Sequence, residues 1–102
     1  MPIRARLTAR ARAEVSEAVR WIAKDNAAAA RSLRSAIDSL TQLIAEHPQV
    51  GVARPDLAAE PYRVAIVRGF PYIVVYDASK RPPWVVRVVH GARDLPEVLK
   101  DL

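Results

Sequence analysis

The apolar residues of this chain follow two different periods, and the change between them limits the folds open to it. Leu33, Ala36, Ile37, Leu40, Leu43 and Ile44 recur at i, i+3, i+4 and i+7, the spacing that gathers side chains on one face of a helix. From Tyr62 onward the apolar residues alternate or run together, as strands require. Asn26, with its short polar side chain, ends one helix and caps the next. Pro48 stops the second, because it lacks an N–H and pushes His47 out of the helical region. These signals predict a helix over Ala27–Glu46. An earlier helix runs from Ala9 to about Asp25, with Thr8 as its N-cap and Val15, Ala18, Val19 and Ile22 at helical spacing. Residues 2–7 alternate apolar and polar and read as a short strand.

Residues 48–61 hold Pro48, Gly51, Pro55 and Pro61 with few core candidates, and read as a loop. Three strands follow: Tyr62–Arg68, Phe70–Asp77 and Trp84–His90. Gly69 and residues 78–83 supply turns suited to antiparallel pairing. A last short helix, Leu95–Lys100, starts from Asp94 as its cap. Neither layer can bury its apolar side alone. The expected fold is therefore α+β: an antiparallel sheet of three to four strands packed against an N-terminal helical hairpin, in the order β-α-α-β-β-β with a short C-terminal helix. The 102 residues suit a single domain, 1–102.

Several classes of chemistry are closed to such a chain. It has no cysteine, which removes disulfides, thiolate metal sites and cysteine nucleophiles. With only His47 and His90, no metal site and no cofactor is expected. Its apolar runs fall short of the ~18 residues that span a bilayer, so no membrane contact is expected and a soluble, unprocessed, cytoplasmic protein is. Sixteen Lys+Arg against eleven Asp+Glu give a net charge of +5, and thirteen of the sixteen cations are arginine. Guanidinium grips phosphate or carboxylate with paired bonds, so an anionic partner is expected, either nucleic acid or an acidic protein.

Catalytic signatures are sparse. Gly51, Gly69 and Gly91 are too scattered for a phosphate cradle. Ser79 with His90 and Asp77 has no local support as a triad, and Asp56 and Glu60 read as solvated loop acids. From Tyr62 to Arg93, basic residues alternate with aromatic ones, a pattern that could bind a phosphodiester. Tyr72 and Tyr76 share a strand face with Val74 and read as core, whereas Trp84 starts a strand after two prolines and reads as half exposed. His90 lies just before Gly91 and three residues before Arg93, where a proton-transfer role and a structural one are both open.

Taken in order, Leu7-Thr8-x-x-Ala11, the Leu40–Leu43–Ile44 helix followed by Pro48 and Gly51, Tyr62-Arg63, Phe70-Pro71-Tyr72-Ile73-Val74-Val75-Tyr76 and Val88-Val89-His90-Gly91-Ala92-Arg93-Asp94 resemble the RelE/ParE superfamily of type II toxin–antitoxin toxins. The resemblance spans nearly the whole chain. RelE-like members cut mRNA on the ribosome with basic residues and a tyrosine. At the corresponding positions this chain has Ala65, Ile73 and Leu99. Only Arg93 matches a basic catalytic position, and Arg63 replaces a lysine. A phosphorus transition state needs nearby cations, so these aliphatic replacements argue against that chemistry.

The Phe-Pro-Tyr strand is similar to ParE, whose members poison DNA gyrase by protein contact. The resemblance thus implies a non-enzymatic toxin that binds DNA gyrase, with no catalytic residue. Arg63, Arg68, Arg87 and Arg93 would form its target- and anion-binding surface. It also implies a cognate antitoxin whose acidic, amphipathic tail wraps the helical hairpin and adds a strand to the sheet, giving a hetero-oligomer. The alternative is a ribosome-dependent mRNA endoribonuclease, in which His90 moves a proton and Arg63, Arg87 and Arg93 stabilise the phosphorane.

Overall fold

The computed structural model describes residues 3–102. Pro2, where the first strand was expected to begin, and Met1, within the expected 1–102 domain, lie outside the described residues. The elements are β1 (Arg6–Leu7), α1 (Ala9–Ala23), α2 (Ala27–Glu46), β2 (Tyr62–Ile66), β3 (Tyr72–Asp77), β4 (Trp84–His90) and α3 (Leu95–Val98).

Side chains start both long helices as the sequence predicts. Thr8 Oγ1 accepts from the Ala11 N–H at 3.1 Å and donates to the Val86 carbonyl at 3.3 Å, which ties the start of α1 to β4. Asn26 Oδ1 accepts from the Ala29 N–H at 2.9 Å. Helix α1 stops at Ala23 because the Asp25 and Asn26 N–H groups both turn back to the Ile22 carbonyl, at 3.2 and 3.0 Å. At the far end of α2, His47 leaves the helical region (φ −136°, ψ 78°) ahead of Pro48.

The sheet order is β1-β4-β3-β2. Strands β2, β3 and β4 form an antiparallel meander, but β1 pairs parallel to β4 through Arg6 with Trp84 and Leu7 with Val85. The sheet is mixed, where an antiparallel one was expected. Parallel neighbours need a long crossover, and here the helical hairpin and the β2–β3 hairpin together provide it. Turn residues 67–71 shorten β2 and β3 relative to expectation. Gly69 takes φ +86° there, a left-handed conformation that costs glycine nothing. A register shift opposite Val75 and Tyr76 leaves Val86 as an extra residue in β4.

Both sheet faces are covered. Ala11, Val15, Leu33, Ile37 and Ile44 from the helical hairpin pack on Val74, Tyr76, Val85 and Val88. Leu57 from the 48–61 loop and Leu99 after α3 pack on Val75 and Val89 on the opposite face. This explains why β4 reads as a nearly continuous valine run and does not alternate. The loop therefore contributes more to the core than its sequence suggested, since Leu57 and Ala58 are both buried. Fully burying a leucine such as Leu33 or Leu99 stabilises the fold by roughly 1.5–3 kcal/mol. Helix α3 is shorter than expected, and the Asp94 side chain makes no capping hydrogen bond. Burial of Leu99 anchors it instead. No helix among the described residues is long and apolar enough to cross a membrane.

Candidate functional site

The four arginines expected on one anion-facing surface occupy four different environments. Arg87 corrects that expectation most sharply, because only 3% of it is exposed. Its Nε donates to both carboxylate oxygens of Glu14, at 3.2 and 3.1 Å, and Nη2 donates to Glu14 Oε2 at 2.9 Å. Nη1 donates to the Val98 carbonyl at 2.8 Å. Strand β1 covers β4 only as far as Val85, so the edge N–H of Val88 needs another acceptor, and Glu14 Oε1 provides it at 2.9 Å. Arg87 thus links α1, β4 and α3 from inside the molecule. No motif in the sequence marks Glu14 for this role.

Arg63 is committed to a loop. Its Nη1 donates to the Gly51 carbonyl at 2.7 Å. Beside it, the Tyr76 hydroxyl donates to the Pro48 carbonyl at 2.7 Å and accepts from the Gly51 N–H at 2.8 Å. Val52 then bridges to Val64. A Cβ at residue 51 would lie 2.7 Å from the Tyr76 hydroxyl and 2.9 Å from the Val64 carbonyl, so the loop can approach this closely only as glycine. Burial pushes the Tyr76 phenol above its usual range, against the smaller opposing effects of the Gly51 N–H and the Arg63 charge.

His90 and Arg93 do come together. They line a groove of about 470 Å³ between α1 and the ends of β3 and β4, alongside Tyr72 and the largely exposed Trp21. The Tyr72 and His90 rings meet edge to face with centroids 5.4 Å apart. His90 Nδ1 accepts from the Ala92 N–H at 3.1 Å, an arrangement that places the neutral ring's hydrogen on Nε2. Arg63 does not join them: it pairs with Tyr76 and His90 with Tyr72, four residues apart, or ~13 Å along β3.

Arg68 lies exposed beside a groove of about 840 Å³ between α2, the 50–57 loop and β2. Its wall holds four of the exposed large hydrophobic residues: Leu43 at 40%, Val50 at 44%, Val52 at 63% and Ile66 at 72%. Arg54, also beside the groove, is paired with Asp56 at 2.7 Å. One edge of β2 borders the groove. Val64 exchanges both backbone hydrogen bonds with Val52 on that edge. By the antiparallel alternation, Ile66, two residues on, points its N–H and C=O the same way, beyond the reach of the bridge. The signal for this groove was present in α2. At 100° per residue, Ala36 and Leu43 sit roughly 70–90° to one side of the Leu33–Ile37–Leu40–Ile44 line, a wider apolar stripe than the sheet covers. Among the described residues, no group of three or more His, Asp or Glu is placed to hold a metal ion.

A family model described as ParE toxin of type II toxin-antitoxin system, parDE, matches residues 5–95. A solved structure described as the chromosomal ParDE TA system from P. aeruginosa aligns with a TM-score of 0.71 at 12% sequence identity, over 87% of this chain and 96% of that one. At that identity the likeness establishes a shared fold. No curated protein sequence matches the chain.

Proposed function

The chain belongs to the ParE toxin family of type II toxin–antitoxin systems, and from that membership we propose that it inhibits DNA gyrase by protein contact in the cytoplasm until a cognate antitoxin occupies it. The observation that carries the docking reading is the open apolar groove beside the free β2 edge at Ile66. An exposed apolar groove with charged residues along it and an unpaired strand edge beside it has the form of a peptide-docking site. An amphipathic, acidic antitoxin segment fits it: apolar side chains against Leu43, Val50 and Val52, an added strand along Ile66, and carboxylates toward Arg54 and Arg68. The net charge of +5 steers such a partner in. The pair is then a hetero-oligomer. Arg93, Arg68 and Arg63, whose Nη1 is held by Gly51, are the candidates for target contact; Arg87 leaves that set because Glu14 encloses it.

The endoribonuclease reading has one observation in its favour, the shared groove of His90, Arg93 and Tyr72. Against it stand the separation of Arg63, the burial of Arg87 and the capped Nδ1 of His90. Ala substitutions at His90 and Arg93, scored for toxicity and for transcript cleavage, separate the two. A docking toxin keeps its toxicity in the His90→Ala variant and leaves transcripts whole. Cleavage that disappears with His90 would establish the nuclease.

A further inference from the structure

A third concavity, of about 450 Å³, opens on the opposite side of the hairpin from the apolar groove, where β1, α1 and α2 meet the start of β4. Its polar lining includes Arg6 from β1, Arg12 and Ser16 from α1, Arg34, Asp38 and the buried Thr41 from α2, and Trp84 from β4. We propose that this cavity binds a nucleoside phosphate, with the phosphate held by Arg12 and Arg34 and the base against Trp84.

Three observations lead there. First, three arginines from three separate elements line one cavity with a single acid, Asp38, beside them. Asp38 lies four residues after Arg34 on the same helix, yet no ion pair forms between them. Arg10, Arg54 and Arg87 all engage acidic partners, whereas the side chains of Arg6, Arg12 and Arg34 make no hydrogen bond or ion pair with any described residue. Their donors are open, and the local charge is that of three cations against one anion. Planar guanidinium forks in this state match the paired oxygens of a phosphate group.

Second, Trp84 adds an aromatic ring, with the Arg6 guanidinium over one face at 5.8 Å from the centroid, so a base stacks beside Arg6 or in its place. A base stacks on such a surface whatever its identity. Third, the floor is apolar, formed in part by Val15 and Ile37, and the volume falls within the range of small-molecule sites. Inorganic phosphate would leave both the floor and the indole unused. The proposal goes beyond the gyrase and antitoxin reading and uses neither of its surfaces, so each can fail without the other.

The test is isothermal titration of the full chain with AMP, adenosine and inorganic phosphate in parallel. A fluorescence titration of a Trp21→Phe variant, which keeps Trp84 as the one remaining tryptophan, accompanies it. AMP is expected to bind with Kd at or below about 1 mM, to quench Trp84, and to bind at least tenfold more tightly than adenosine or inorganic phosphate. Arg12→Ala and Arg34→Ala, both exposed positions, should each weaken AMP about tenfold while their thermal melts superimpose on the parent's. Arg31→Ala, which removes the same charge from α2 outside the cavity, should change nothing. No saturable heat up to about 10 mM AMP overturns the proposal. Equal binding of adenosine, equal binding of inorganic phosphate, or an Arg31→Ala loss matching that of Arg34→Ala would each overturn it as well. Single-stranded oligonucleotide binding without AMP binding would overturn it in favour of a polymer surface.

Discussion

Removing Glu14 should unfold this protein more readily than any surface change of the same size. In Glu14→Ala, Arg87 loses three contacts of 3.2, 3.1 and 2.9 Å, and the Val88 N–H loses its 2.9 Å acceptor. The Arg87 side chain is 4% exposed and keeps the Val98 carbonyl and a long ion pair, 3.9 Å, to the exposed Asp101, which replaces Glu14 only weakly. Leaving a buried charge unpaired costs about 3–5 kcal/mol. The orphaned N–H adds to this by itself, but water entering the space left by a side chain already 18% exposed offsets part of that addition. A net loss of ~3–5 kcal/mol is a large fraction of the 5–15 kcal/mol that holds an ordinary domain together. In urea, with a slope near 1.5 kcal/mol/M, the midpoint should fall by about 2–3 M. The double variant Glu14→Leu with Arg87→Met should recover most of the loss, since it removes both charges together. A loss below ~1 kcal/mol, the value of an exposed pair, would refute the enclosed position of Arg87. So would a double variant no more stable than Glu14→Ala alone.

Gly51→Ala should destabilise by ~1–3 kcal/mol in the same assay, because its Cβ meets the Tyr76 ring and the Val64 carbonyl inside 3 Å. The raised Tyr76 phenol contributes to the alkaline loss of stability. Below about pH 10 both folded and unfolded chains keep the proton and stability is full, and above it the unfolded chain ionises first and stability falls as pH rises through the folded value. Thermal melts of Tyr76→Phe should lose that part of the alkaline slope, at a constant cost of ~1–3 kcal/mol for the unpaired Pro48 and Gly51 groups. Ile66→Asp, on an exposed side chain, should leave the melting temperature nearly unchanged. In a pull-down or titration it should weaken antitoxin binding at least tenfold, by repelling acidic side chains from the groove edge.

The helices were legible because local chemistry fixes them. Thr8 and Asn26 cap as short polar side chains do, Pro48 ends α2, and the spacing from Leu33 to Ile44 dictates the buried face. The partner of β1 was not legible, since two residues carry no pairing information and direction is set by the crossover that follows. Arg87 misled because charge type suggests the surface. Its valine neighbours on both sides were the contrary signal, for a strand covered on both faces must enclose any arginine it carries. Charge alone makes Arg63 and Arg93 equal candidates, and only the fold reveals that one holds a loop carbonyl and that the other shares a groove with His90. The apolar groove left a trace in the off-line position of Leu43 on α2. Val50 and Val52, by contrast, are ordinary loop residues until Val52 pairs with Val64.

The most direct measurement combines purified chain, gyrase, relaxed plasmid and ATP in one reaction, and puts the same preparation into a ribosomal translation mixture with a defined message. A docking toxin should block supercoiling in proportion to its concentration, lose that effect when its antitoxin is added, and leave the message full length. Cut messages, with supercoiling proceeding untouched, would contradict it.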